Sequence, residues 1–457
     1  MLKKLLASQL HVNMATGVVT HCVNIAVLAV SYPVYLHFLG YERYGLWLAL
    51  GVVFALARLS DLGMTHAVTK LIAEEHGRGN TQAAQEYIAT AILILFIVSG
   101  IILAVILTFK AQIISAFKFT EETSKLAMWF LPYIAILSIY TLVVQVLIAT
   151  LAGLGRMDLS HYIETGGRIV MICTAVPLLY LGYGLKSLLF ATAFSLLAKH
   201  LFSLFFIRRM VSFRLVKISN IHKHCLKRLL NIGMGLFGGS IVRLVGIPFN
   251  KFMLARYAGV DSLPIFDIAY HGSFQIHGII NVAFRALMPE VSRITSEIST
   301  AAINRIRTLM RRAQYLILFW ATPLYAILLL LANPLFKIWL GDSFVDTIPL
   351  TFRVVFIASF INLLLVPAYH FLIGMGKIKP VFMFSCIMWL SDIVLLLIFS
   401  LSFHKLSPIV AAGCFVVSCT VSSSYLIWNY CSIMERYAEE TSSIDKLSSV
   451  KTSISDG

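Results

Sequence analysis

A chain of 457 residues that is 59% hydrophobic and 13% charged, with a mean hydropathy of +0.86, is too apolar for a soluble globular domain. Apolar stretches of about 20 residues, long enough to span a bilayer, recur along its whole length and leave no room for a sizeable soluble domain. The formal net charge of +16 could suit a nucleic acid, but the basic residues fall between the apolar stretches, where they report membrane topology, so no nucleic-acid partner is expected.

The opening MLKKLLASQL is basic, and the segment after it runs through Asn13, Thr16, Thr20 and Asn24 without a small-residue cleavage site. It reads as the approach to a first helix, with these four polar residues on one face, and not as a removable signal. Spans are predicted over 13–37, 44–69, 87–109, 127–153, 161–182, 186–207, 229–255, 264–289, 312–332, 349–373, 380–400 and 407–430. The fold class expected is therefore all-α integral membrane, with about 12 transmembrane helices.

The second span, YGLWLALGVVFALARLSDLGMTHAVTK, carries Arg58 and Asp61 near its middle. An ionised side chain there costs roughly 2.5 to 3.5 kcal/mol on insertion scales, so it needs a partner or a water-filled cavity. At 100° per residue, Trp47, Gly51, Phe54, Arg58, Asp61, Thr65 and Thr69 share a stripe. That stripe is either the wall of a polar cavity or the site of a structural Arg58 to Asp61 pair at i, i+3. On the fifth span, Glu164 and Arg168 have the i, i+4 spacing of an intrahelical ion pair; Lys199, Arg353 and Asp392 are further embedded charges.

The basic linker between the sixth and seventh spans separates two six-helix lobes. The domains expected are 1–207, the linker 208–228, 229–433 and a tail 434–457, with the linker lying on anionic headgroups. With the N-terminus inside, the segments on its side hold 22 of the 37 Lys and Arg and the opposite loops 8, which places both termini in the cytoplasm. An offset of about 219 residues aligns LGYERYGLWLA with AGVDSLPIFDIA, matching Gly40 to Gly259 and bringing Asn13 near Asn231. Two halves with the same helix order and an even number of spans each are parallel repeats around a central cavity.

The leading spans of the second half are also polar. The seventh carries Asn231, Gly235, Arg243 and Asn250, with Lys251 adjoining, and the eighth aligns Asp267, His271, Phe274, Gly278, Asn281 and Arg285. Arg58, Arg243, Lys251 and Arg285 outnumber Asp61 and Asp267, so the cavity is expected to be cationic and to favour an anion; the planar fork of Arg suits phosphate. For each of these residues the alternative is a structural hydrogen bond or a side chain reaching to the interface. The cavity-lining polar set comprises Asn13, Thr20, Asn24, Asn250 and Asn281.

Catalytic constellations are not found: there is no phosphate-binding loop ending in Gly-Lys-Ser/Thr and no nucleophile elbow. The seven cysteines read as small buried hydrophobes. His222, His224 and Cys225 are too few for a metal site, and no metal or other cofactor is expected. Without an ATP site, transport would run on an ion gradient, with a proton or sodium as coupling ion, on the membrane potential or on consumption of the product.

FLGYERYGLWLAL (38–50) and LSDLGMTHAVTKLIAEEHGRGN (59–80) resemble the polysaccharide-exporter family, the Wzx-type O-antigen flippases of the multidrug/oligosaccharidyl-lipid/polysaccharide (MOP) superfamily; ALMPEVSRI (286–294) and the twelve-helix layout extend the likeness across nearly the full chain. The resemblance implies two six-helix lobes forming a V around a cavity. It implies movement of an undecaprenyl-diphosphate-linked oligosaccharide from the cytoplasmic to the outer leaflet of the bacterial inner membrane. On this reading the protein is not an enzyme, its partners are the lipid-linked oligosaccharide and membrane lipids, and it is a monomer that could work beside the polysaccharide assembly machinery. Arg58 and Asp61 match the family's polar second helix, whereas Arg243, Lys251 and Arg285 match only by location. The second lobe lacks the Asp-Leu-Gly of the first, and the two further C-terminal helices of lipid II flippases are not seen. Two rival readings remain: a multidrug or small-solute antiporter of the same superfamily, which would want an acidic cavity, and a membrane enzyme acting on lipid-linked sugars, for which Glu121 and Glu122 are the only paired loop acids.

Overall fold

The structure is a computed structural model that describes residues 2–210, 223–237, 241–285, 288–295, 300–403 and 406–455. The first 210 residues form α1 (Leu2–Ala57), α2 (Met64–Gly77), α3 (Thr81–Thr108), a short α4 (Lys110–Ala116), α5 (Glu121–Gly153), α6 (Met157–Tyr180) and α7 (Lys186–Met210). After these come α8 (Lys223–Phe237), α9 (Ile241–Tyr257), α10 (Ser262–Arg285), α11 (Met288–Thr295), α12 (Thr300–Leu330), α13 (Ala332–Leu340), α14 (Thr347–Gly374), α15 (Ile378–Phe403) and α16 (Pro408–Ser455). No strand occurs among the described residues.

Nine helices among the described residues are long and apolar enough to cross a membrane. One of them, within α1, merges two predicted spans: Gly40, at φ 69 and ψ 177, breaks the helical path between them. Its φ lies where a Cβ is disfavoured, so glycine is the residue that can make the break. Gly259, its match under the 219-residue offset, also has positive φ (93) and lies between α9 and α10. The predicted seventh and eighth spans correspond to α8–α9 and α10, which are too short or too polar to count among the nine.

The second span departs from the continuous helix expected of it. Arg58–Asp61 form a 3-10 turn, Leu62 follows at φ 47 and Gly63 at φ 74, so the 100° stripe from Trp47 to Thr69 does not exist as one face. The cause is local. The Asp61 carboxylate accepts hydrogen bonds from the Thr65 amide (3.2 Å) and hydroxyl (2.7 Å), so the acid serves the unpaired N–H groups at the start of α2 instead of continuing the preceding helix.

The chain divides into two compact units. The first runs from residue 1 to Pro264 and includes Leu340–Ser343; α8 and α9 pack in it, α8 against α2 and α3, and α9 against α1. Its core joins Met64, Val68 and Leu71 of α2 to Tyr87 and Leu95 of α3, Leu142 and Val146 of α5, and Cys225 and Leu229 of α8. A carbonyl takes the place of a side chain beside Gly45: a Cβ there would lie 1.8 Å from the Val260 oxygen. Tyr41 donates to the Ser343 carbonyl at 2.5 Å.

The second unit holds most of the chain from Ile265 onward. Its core joins Val291 and Ile294 of α11 to Ile303 and Met310 of α12, Phe371 and Leu372 of α14, Phe384 of α15 and Leu426 and Met434 of α16. In lipid, close packing and polar bonds hold helices together, because leaving the bilayer is not an alternative for apolar groups. Buried hydroxyls are met accordingly: Ser138, Thr150 and Ser273 donate to carbonyls four residues back. Ser359 of α14 also ties three helices, bonding Tyr325 of α12 at 3.0 Å and the Ser273 carbonyl of α10 at 2.7 Å. Large apolar side chains left exposed, such as Phe96, Phe319, Trp320 and Trp428, face outward as lipid contacts do.

Candidate functional site

In the first unit, the densest polar cluster within spans joins α1, α5, α6 and α7. Lys199 Nζ lies 2.7 Å from Glu164 Oε2, and Gln145 donates to Glu164 Oε1 at 2.9 Å. The pair is largely enclosed, with side chains 13% and 23% exposed, so its attraction is only weakly screened. This corrects the sequence expectation of a Glu164–Arg168 pair. Lys199 reaches the carboxylate across Gly167, where a Cβ would lie 2.2 Å from its Cε, whereas Arg168 makes no ion-pair contact among the described residues and acts on Glu164 only through space. The signal lay in the missing side chain at 167, which opens the path for a lysine on the next helix. Nearby, Thr165 donates to the Thr20 hydroxyl at 3.0 Å, and Thr20 reaches the His161 carbonyl at 3.5 Å, so Thr20 serves the α1–α6 contact.

The remaining first-unit candidates are dispersed. Asp61 caps α2 as described. Asn250 is buried on α9 and donates to the Gly246 carbonyl at 3.3 Å, and Lys251 beside it is half-buried. The Asn24 side chain is half-buried and makes no hydrogen bond among the described residues. The side chains of Asn13, Arg58, Arg243 and Arg285 lie outside the described residues.

In the second unit, Asp267, His271 and Asn281 are on α10. His271 Nε2 is 3.5 Å from Asp267 Oδ1, with the imidazole 41% exposed and the carboxylate 5%. One face of α10 thus offers an accessible ring held by an enclosed acid. Asn281 Oδ1 is 2.7 Å from His370 Nε2 of α14, a helix–helix bond that sequence spacing could not reveal. Arg353 donates to the Leu329 carbonyl at 3.1 Å, which makes it a structural charge.

A second ionic cluster ties α8 to the α2–α3 hairpin. Arg228 contacts Glu74 Oε2 at 2.5 Å, Glu75 Oε1 at 3.4 Å and the Tyr87 hydroxyl at 3.0 Å, while Arg78 contacts Glu75 at 3.0 Å. Glu75, 6% exposed at its side chain, is balanced by two guanidinium groups. Cys225, one turn before Arg228, is buried with its sulfur 4.0 Å from Glu86. Burial, with the Glu86 carboxylate adding to it, pushes the thiol's pKa up. Of His222, His224 and Cys225, His222 lies outside the described residues, and no group of three or more His, Cys, Asp or Glu suited to a metal occurs among those described.

Among solved structures, the chain is similar to an inward-facing multidrug resistance MATE family transporter of the MOP superfamily, with a TM-score of 0.75 and 13% identity, covering 94% of this chain and 96% of that one. It is also similar to the lipid II flippase MurJ in an inward closed conformation, with a TM-score of 0.70 and 15% identity, covering 96% and 90%. At these identities the likeness establishes the fold alone: the all-helical, multi-pass arrangement that these two proteins share. A protein of Shigella flexneri named "Putative O-antigen transporter" is 22% identical over 408 residues, 87% of this chain and 92% of its own.

The family described as "Polysaccharide biosynthesis protein" matches residues 13–295, and the chain belongs to it. That membership ties the chain to polysaccharide biosynthesis.

Proposed function

We propose that the protein carries an undecaprenyl-diphosphate-linked oligosaccharide, an O-antigen or similar repeat unit, from the inner to the outer leaflet of the bacterial inner membrane. The observation that carries this reading is the polysaccharide biosynthesis match over residues 13–295, which contains every cationic candidate: Arg58, Arg243, Lys251 and Arg285. The relative from Shigella flexneri points the same way. A diphosphate head cannot cross hydrocarbon unaided, whereas its polyprenyl tail never needs to leave it. Cationic side chains would replace water around the head, Asp267 and His271 would tune that charge, and Asn13, Asn250 and Asn281 would meet sugar hydroxyls. The 22-to-8 charge distribution supports an orientation with both termini in the cytoplasm, and an inside-negative potential favours outward movement of an anion by about 2.3 kcal/mol per charge per 100 mV.

The test is reconstitution of the purified full-length chain with a fluorescent polyprenyl-diphosphate oligosaccharide, measuring leaflet accessibility with and without an imposed potential. Protein-dependent relocation of intact substrate, faster with the inside negative, is expected. Export of organic cations with no movement of the lipid-linked sugar would replace this reading with the antiporter one.

A further inference from the structure

We propose that Arg168 and Asn24 form an anion subsite in the first unit that takes a phosphoryl group of the transported lipid; the ligand class rests on the flippase reading above. Arg168 sits at the middle of α6, 11 residues from Met157 and 12 from Tyr180. At about 1.5 Å per residue it is roughly 17 Å from either end, too far for its side chain to reach an interface. Its side chain is half-buried, makes no hydrogen bond among the described residues and acts on Glu164 only through space. The acid one turn before it, Glu164, is already held by Lys199 and Gln145, so two cations share one carboxylate at this depth. A surplus guanidinium at the centre of a membrane helix must face water or an anion, because hydrocarbon does not tolerate it.

Asn24 supplies the second side of the subsite. A Cβ on Gly17 would lie 3.6 Å from His161 Nε2, Thr20 meets Thr165 at 3.0 Å, and Phe38 packs edge-on against Tyr180 at 4.6 Å. Contacts that advance together along both helices mean that α1 and α6 run in parallel. Asn24 is four residues beyond Thr20 and Arg168 three beyond Thr165, which puts the two at the same level. Neither side chain makes a hydrogen bond among the described residues. A guanidinium fork and an amide N–H at one depth are suited to a phosphoryl oxygen pair.

Thermal unfolding of the detergent-purified full chain, titrated with farnesyl diphosphate and with farnesol, tests this. Farnesyl diphosphate should raise the melting temperature of the wild type and farnesol should not. Arg168→Gln should weaken the apparent affinity by about tenfold, Asn24→Ala should weaken it less, and Arg168→Lys should recover part of the loss, since it keeps the charge without the fork. Unchanged affinity in Arg168→Gln, or a lower melting temperature with unchanged affinity, overturns the subsite and leaves the flippase reading standing. Equal stabilisation by farnesol overturns it as well, by showing that the tail alone is sensed. Failure of the wild type to respond to the diphosphate, together with no leaflet relocation, brings down both readings. If Arg168→Gln does not fold, Arg168→Lys decides: full wild-type affinity there removes the bidentate contact and with it the proposal.

Discussion

Gly63 and Gly233 meet backbone to backbone: a Cβ on Gly63 would lie 2.3 Å from the Gly233 oxygen, and one on Gly233 would lie 2.7 Å from the Leu62 oxygen. The start of α2 and the middle of α8 therefore touch where neither can carry a side chain. Gly63 additionally holds φ 74, a conformation that costs other residues roughly 1 to 2 kcal/mol. Gly63→Ala should thus lower stability by more than about 2 kcal/mol, read as melting temperature and membrane abundance. Gly100→Ala, where no atom lies within 4 Å, is the control and should be neutral or mildly stabilising. Equal melting temperatures for Gly63→Ala and wild type would remove this contact from consideration.

Removing one partner of the Glu164–Lys199 pair strands the other in a largely enclosed site. Lys199→Met should cost on the order of 3 kcal/mol, and adding Glu164→Gln should restore much of the loss. Gly167→Ala should behave like Lys199→Met, because the new Cβ occupies the path of the lysine. Thermal melts of the three variants decide it. A double variant less stable than Lys199→Met alone would show that Gln145 and Arg168 suffice to hold the carboxylate without the lysine.

Arg228 should be worth more through Glu75 than through Glu74. The Glu74 pair is about a third exposed on both sides and should contribute no more than about 1 kcal/mol, whereas Glu75 is enclosed. Arg228→Ala should therefore destabilise more than Glu74→Ala, and Arg228→Ala with Glu75→Gln should be more stable than Arg228→Ala alone. Unfolding in two salt concentrations separates the terms further: the Glu74 effect should shrink in high salt, while a Glu75 effect that shrinks equally would contradict the burial argument.

The Cys225 thiol should resist alkylation. Only the thiolate reacts, and a raised pKa keeps the thiolate scarce at neutral pH, so the rate should keep climbing with pH beyond the ordinary thiol range of about 8.5. Maleimide labelling against pH, in a variant with the six other cysteines replaced, measures this. Glu86→Gln should shift the profile to lower pH. A rate at pH 7 matching that of a free peptide thiol would falsify the assignment.

Much of the helical layout could be read from hydropathy, because about 20 apolar residues have few alternatives to crossing a bilayer. The turns at Gly40 and Gly259 were legible for a related reason: positive φ there leaves glycine as the residue that fits, and the offset aligned the two. The break at Arg58–Gly63 was not, since periodicity cannot show that Asp61 bonds Thr65 in preference to facing a cavity. Nor was the partner of Glu164, because i, i+4 spacing proposes Arg168 while the contact made depends on Lys199 crossing an empty position on another helix. The His370 contact was illegible for the same reason, as its bond to Asn281 joins residues 89 apart on different helices. Pairings between helices depend on rotation about each axis, which a single sequence leaves undetermined.

The single-residue break at Gly40 also bears on how the chain can be handled. Helical structure continues to Leu39 and resumes at Tyr41, so the connection between the first two spans has almost no loop to spare. Proteases need several extended residues to engage a chain, and inserted tags need slack on both sides. A tag placed between Leu39 and Tyr41 should block assembly, and limited proteolysis should pass over this turn, making it a poor place for a topology reporter despite its position at the head of a hairpin.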